Sequence, residues 1–376
     1  MDQSLHRVIV SGTGSFLPND PVPNDRLDAI LGTLDDAPAR VKGFIQTTGA
    51  MMLESGGIES RHFAIDPETH RLTHTSATLA EEAARRALQA AGKKPTDVEL
   101  LLVACPMFDR GTPPTSTLLQ ERLGIEECAE MEIHSNCSGV GKIVQIVFDA
   151  LRVGRYKTAL VAYPQLSSAY LRSCYFTQPA MTKTQAALRY ILGDGAGAVF
   201  FESVRVDRNG PIPHEVLATY IESCGGKREP GMTAGGGLAD LVDPDVQIAR
   251  SAELGVHHLD QNFTAVSQHA GLFLDQGALR MLEPLGISLK DVDHFIYSIP
   301  GRQLYEANLK RAKAQYGVSD EQVKFRATKT GYCGGASILL HFDEAVRSGE
   351  LQPGQMAVVY AVESSKWMSG GFVVRW

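Results

Sequence analysis

Residues 77–106, ATLAEEAARRALQAAGKKPTDVELLLVACP, have a counterpart in the same chain at 270–300, AGLFLDQGALRMLEPLGISLKDVDHFIYSIP. Each reads as an amphipathic helix, a Gly turn, an Asp-Val pair and a strand closed by proline. Asp97-Val98 answers Asp291-Val292, and Pro106 answers Pro300. The correspondence runs on. A short helix follows each proline, TSTLLQERLG or RQLYEANLKRAKAQYG, and then a strand, EMEIHSN or VKFRATK. A Gly-rich turn then opens a helix, KIVQIVFDALRVG or SILLHFDEAVRSG, before a last strand, TALVAYP or MAVVYAV. Matching Arg152-Val153-Gly154 to Arg347-Ser348-Gly349 sets Cys137 opposite Tyr332. Strands alternating with helices imply α/β architecture with parallel strands covered by helices. The expectation is two similar halves, 1–205 and 206–376, related by a pseudo-twofold.

Composition bounds the chemistry. The 376 residues are 44% apolar and 21% charged with a net charge of −7, which disfavours a nucleic-acid or anionic-membrane partner. The longest apolar runs, such as VELLLVA and MAVVYAV, fall well short of the roughly 20 residues that span a bilayer. The opening MDQSLHRVIVSG leads straight into a strand pattern, so a cytoplasmic location is expected. The six cysteines are scattered without a Cys-x-x-Cys pair, so no metal site is expected and most should be small buried residues. The glycine clusters SGTGSF (11–16) and GDGAGAVFF (193–201) lack dinucleotide spacing and read as tight turns with close backbone approach. The stretch 225–245, rich in Gly and Pro, reads as a loop, either a cover over a site or a surface excursion.

One cysteine stands apart. In EIHSNCSGVGK (132–142), Cys137 falls between a strand's end and a helix expected from about 139 to 152. Free N–H groups at a helix start favour a thiolate and can hold an oxyanion on a carbonyl that the sulfur attacks. Ser138 and Gly139 leave room for a substrate.

With HSNCSGVGKIVQIVFDAL, LGDGAGAVFFE, GIESRHFA, GYCGGASILL and the closing GGFVVRW, the chain resembles, over about 7–376, the ketoacyl synthase III branch of the thiolase superfamily. The resemblance implies a thiolase-like fold layered α-β-α-β-α. It implies acyl transfer from a thioester carrier onto Cys137 and then to a second nucleophile. The oxyanion would be held by the Cys137 amide and a second backbone amide near Ser365, where the family usually has glycine. The resemblance also marks departures. Ser298 stands where the family has a catalytic His, and Tyr332 where it has an Asn. Those groups hold the enolate in decarboxylative condensation, so that reaction should suffer more than thioester formation. Loading of Cys137 should then depend little on Ser298 and Tyr332. The family's adenine-stacking Trp and phosphate-binding Arg fall at about Met51 and Ser55.

No cofactor is expected beyond a phosphopantetheine- or CoA-linked acyl thioester as substrate. Partners are expected to be an acyl carrier protein or acyl-CoA donor and a small-molecule acceptor. The resemblance implies a homodimer through the strand near 130–136, with the loop Phe108–Pro114, including Thr112, helping to close a partner's pocket. His134, His269 and His294 read as structural, and Cys105 and Cys333 as packing residues. The leading reading is an acyltransferase delivering to an oxygen, nitrogen or thiol acceptor, in specialised-metabolite or fatty-acid biosynthesis. Alternatives are a decarboxylative 3-oxoacyl synthase with a Cys-Ser-Tyr site, and a non-catalytic partner subunit.

Overall fold

The computed structural model describes residues 6–205, 210–241, 253–255 and 257–376. The first half runs β1 (Arg7–Phe16), α1 (Ala39–Gly56), α2 (Ser76–Ala91), β2 (Leu100–Cys105), α3 (Thr115–Leu123), β3 (Ala129–His134), α4 (Gly139–Arg152), β4 (Thr158–Leu166) and β5 (Asp194–Val204). The second runs β6 (Glu215–Ser223), α5 (Phe263–Leu282), β7 (His294–Tyr297), α6 (Arg302–Tyr316), α7 (Ala336–Arg347), β8 (Met356–Glu363) and β9 (Met368–Arg375). These nine strands form one sheet in the order β7-β8-β9-β6-β1-β5-β4-β2-β3. Parallel β2–β4 is matched by parallel β7–β8, and antiparallel β4–β5 and β5–β1 by antiparallel β8–β9 and β9–β6. The two sets join at a single pair, Ile9 opposite Glu215.

One repeated element fails to form. VKFRATK contributes only an isolated parallel bridge, Val323 to Phe295, where the first half has all of β3. Lys324 and Arg326 pair with Glu350 rather than lying along a strand.

The layers follow from hydrophobic spacing. Helix α4 buries Val140, Ile143, Val144, Val147 and Leu151, the stripe a 3.6-residue period demands. Helix α7 does the same with Ile338, Leu339, Phe342 and Ala345. Both belong to one central core with residues of β4, β8 and β9, sandwiched between the two half-sheets. Each such side chain stabilises by about 1.5–3 kcal/mol before the entropy of ordering is counted. Helix α2 closes the outer face of the first half, and α5 that of the second.

The inner helices sit close because small residues allow it. A Cβ on Gly141 would lie 2.4 Å from the backbone of Gly370 and Gly371, so α4 rests directly on β9 across the seam. On the other side of the seam, Asp343 of α7 accepts from Thr13 of β1 at 2.8 Å and from Arg347 at 2.7 Å. The GDGAGA glycines run into β5, as strand residues rather than a phosphate loop. Among the described residues no helix is long and apolar enough to cross a membrane, and no group of three or more His, Cys, Asp or Glu is arranged to hold a metal.

Candidate active site

Cys137 lies buried between the end of β3 and the first residue of α4, where the strand-to-helix reading put it. Tyr332 sits at the equivalent turn before α7, 195 residues later, and the two side chains meet, with Sγ 3.0 Å from the phenol oxygen. The Tyr332 backbone is fixed by two bonds, its N–H to Ile191 O and its O from the Gly193 N–H, each 3.0 Å. Ser298, just past β7, donates to Gly334 O at 3.0 Å and lies 3.3 Å from the Tyr332 hydroxyl. The three residues proposed from the sequence therefore form a chain, Ser298–Tyr332–Cys137.

These residues line a cavity with an empty volume of about 830 Å³, its open mouth included. Its walls are largely apolar, with Leu188, Ile191, Val266 and Leu304 among them, and the Asn136 and Gln165 amides also line it. Met232, within the described part of the 225–245 loop, lines it too, so that loop forms wall as well as surface; residues 242–245 lie outside the described residues. No described histidine lines the cavity. His134 is exposed beside the Phe108 ring, His269 packs edge-on to Trp367, and His294 bonds Gln355 at 3.0 Å. Cys105 and Cys333 are buried in apolar clusters.

One expectation needs correction. The thiolate favoured by a helix start is not what the turn holds. Burial is the largest cause, and with the nearby Glu363 carboxylate it pushes the Cys137 thiol up to about 12. The first amide of the turn, Ser138 N–H, is also committed to Glu363 at 3.1 Å. Tyr332 touches the sulfur itself, a contact that the sequence could not show. Burial and its neighbour Cys137 hold the Tyr332 phenol well above its usual range, which keeps it a proton carrier rather than a base.

Glu363 went unnoticed in the sequence. It closes β8, is 1% exposed, and accepts from Ser135 Oγ at 2.9 Å, from Ser138 Oγ at 2.6 Å, from the Ser138 N–H and from Ser365 Oγ. Lys142 donates to Ser135 at 2.8 Å. A carboxylate ending an otherwise apolar strand, followed by Ser-Ser, was the available signal. Ser365 lies in the turn 364–367 between β8 and β9, and its neighbour Ser364 lines the cavity. Within one chain, neither Phe108 nor Thr112 reaches the cavity. Phe108 is exposed beside β3, the last strand of the sheet, and Thr112 precedes a cis Pro113. Met51 and Ser55 lie on α1, and neither lines the cavity.

The family model for the C-terminal part of 3-oxoacyl-[acyl-carrier-protein] synthase III matches residues 282–376. A beta-ketoacyl-[acyl-carrier-protein] synthase III of Erythrobacter litoralis is 28% identical over 366 residues, covering 97% of each chain. Along nearly its whole length the chain is ketoacyl synthase III-like. Like the synthases it resembles, it is an acyltransferase by class. The fold is shared with solved structures. The tetronic acid condensing enzyme AbyA1 superposes with a TM-score of 0.77 at 24% identity, covering 98% of this chain and 100% of that one. The 3-oxoacyl-(acyl carrier protein) synthase III of Pseudomonas aeruginosa PAO1 gives 0.75 at 22%, covering 98% of each.

Proposed function

We propose that this ketoacyl synthase III-like chain, built as halves 1–205 and 206–376, loads an acyl group from a carrier-protein or CoA thioester onto Cys137. It then passes the group to an oxygen, nitrogen or thiol acceptor. The observation that carries this is a buried thiol lining a mainly apolar cavity, bonded to a phenol that a serine in turn contacts, with no described histidine lining that cavity. Thioester exchange suits such a site because it is balanced in protons. The sulfur attacks the carbonyl carbon, the carbon–sulfur bond to the carrier breaks, and the Cys137 proton leaves on the carrier thiol. Tyr332 and Ser298 are placed to relay that proton, since each hydroxyl both gives and accepts. The Cys137 amide and an amide of the 364–367 turn are the candidate oxyanion donors. In the second step an acceptor O–H, N–H or S–H attacks the acyl-enzyme, and its proton returns to Cys137.

Decarboxylative condensation is the second reading. The Asn136 and Gln165 amides favour it, because both line the cavity and can donate to an enolate. We place the dimer contact at β3, whose outer edge carries unpaired backbone groups. The test incubates the protein with acyl carriers and reads intact mass. An adduct absent from Cys137→Ala supports loading, and an adduct that persists in that variant overturns it. Lack of any adduct across carriers and CoA thioesters leaves the non-catalytic partner role in its place. A loaded enzyme then given a malonyl carrier separates the two chemistries. Efficient release of CO₂ with β-ketoacyl product overturns simple transfer.

A further inference from the structure

We propose that Glu363 is the positioning residue of this site: its carboxylate ties the turn carrying Cys137 to the 364–367 turn of the other half, and its charge governs when the sulfur becomes a nucleophile. The inference rests on Cys137 being the acylated residue, and it concerns a group that touches no substrate.

The geometry makes the tie. Ser135 and Ser138 flank Cys137 by two residues and one, and both hydroxyls donate to Glu363 Oε2. The Ser138 N–H donates to the same oxygen at 3.1 Å. Ser365 donates to the other oxygen, Oε1. One carboxylate therefore links the two turns whose amides are the candidate oxyanion donors. Four donors satisfy a group that is otherwise costly to bury.

The charge follows from the same contacts. A helix start normally offers its first N–H and its dipole to an anion. Here a resident carboxylate has taken the Ser138 N–H, so the sulfur does not have that amide to itself. The titratable and charged groups about Cys137 are Tyr332, Glu363, Tyr163 of β4, Cys105 of β2, and Lys142 of α4 through Ser135. Glu363 is the carboxylate among them, and Lys142 the cation. The resting thiol thus stays protonated and guarded against adventitious alkylation or oxidation. It is activated when a bound thioester supplies a leaving group to take the proton.

The experiment needs no acyl substrate, so it stands or falls apart from the transfer reading. Alkylation of Cys137 by iodoacetamide is followed by mass spectrometry from pH 6 to 10 in the full-length protein. Glu363→Gln keeps the shape and removes the charge. Its alkylation curve is expected to move down by about one pH unit, or about ten-fold faster at fixed pH on the rising limb. Glu363→Asp keeps the charge and should move the curve less than Glu363→Gln does. Lys142→Gln removes the opposing charge and should move the curve up. A Glu363→Gln curve that coincides with wild type overturns the proposal. If Glu363→Gln does not fold, a Lys142→Gln curve that coincides with wild type overturns it instead. A merely structural glutamate has no reason to move these curves in opposite directions.

Discussion

Tyr332→Phe isolates one oxygen. The ring stays, so its packing and the backbone bonds to Ile191 and Gly193 are kept, and Ser298 retains its bond to Gly334 O. What is lost is the hydroxyl 3.0 Å from the Cys137 sulfur. In the resting site that contact involves a thiol and is weak. Once negative charge develops on sulfur the phenol donates to it, and such a charge-assisted bond contributes about 1.5–3 kcal/mol. At about 1.4 kcal/mol per factor of ten, loading of Cys137 should slow roughly ten- to one-hundred-fold. Melting should change little. The assay mixes enzyme with excess acyl carrier thioester, quenches at intervals and reads the acyl adduct by intact mass. A loading rate within about two-fold of wild type would show that Tyr332 plays no part in the first half-reaction. It would return the residue to the second half-reaction assigned by resemblance.

Gly141→Ala places a methyl 2.4 Å from the backbone of Gly370 and Gly371, where nothing can rotate away, and should destabilise by about 1–3 kcal/mol or more in urea unfolding. An unchanged midpoint refutes direct helix-on-strand contact across the seam. Met131→Lys combined with Phe108→Ser alters two exposed apolar side chains at the β3 edge and should lower the mass by light scattering to that of one chain. A wild-type mass that is already monomeric, or a variant that stays dimeric, rejects that interface. His341 is buried with both ring nitrogens unpartnered among the described residues, and burial, reinforced by Arg326, lowers its pKa from 6.5 to about 3. The folded state therefore stays neutral while the unfolded chain takes a proton below 6.5. The resulting stability is present above pH 6.5 and is lost as pH falls toward about 3. His341→Leu should gain on wild type by up to about 1.4 kcal/mol per pH unit below 6.5 in urea melts at pH 7, 6 and 5. Parallel stability curves count against it.

The repeat was legible because it lives in local pattern. Helix periodicity, Asp-Val and proline recur at fixed intervals, and the pairing of Cys137 with Tyr332 followed from counting back from two Arg-x-Gly ends. The thiol's surroundings were not legible. A helix start reads the same whether its amide faces substrate or a buried carboxylate, and Glu363 arrives from 226 positions further along the chain. The failed strand at VKFRATK shows the same limit in small. Its alternation is adequate, but Lys324 and Arg326 find Glu350 in space. Ser298 and Tyr332 could be placed but not oriented, since only packing shows that the phenol reaches sulfur.

The bond between Cys137 and Tyr332 crosses the seam between the two halves of the chain. Its atoms belong to turns that only tertiary contact holds together. The sulfur is therefore a gauge of how tightly the halves are clasped. Parting the halves would break this bond together with the core they share. Labelling kinetics at this one atom thus reports on the cohesion of the whole molecule.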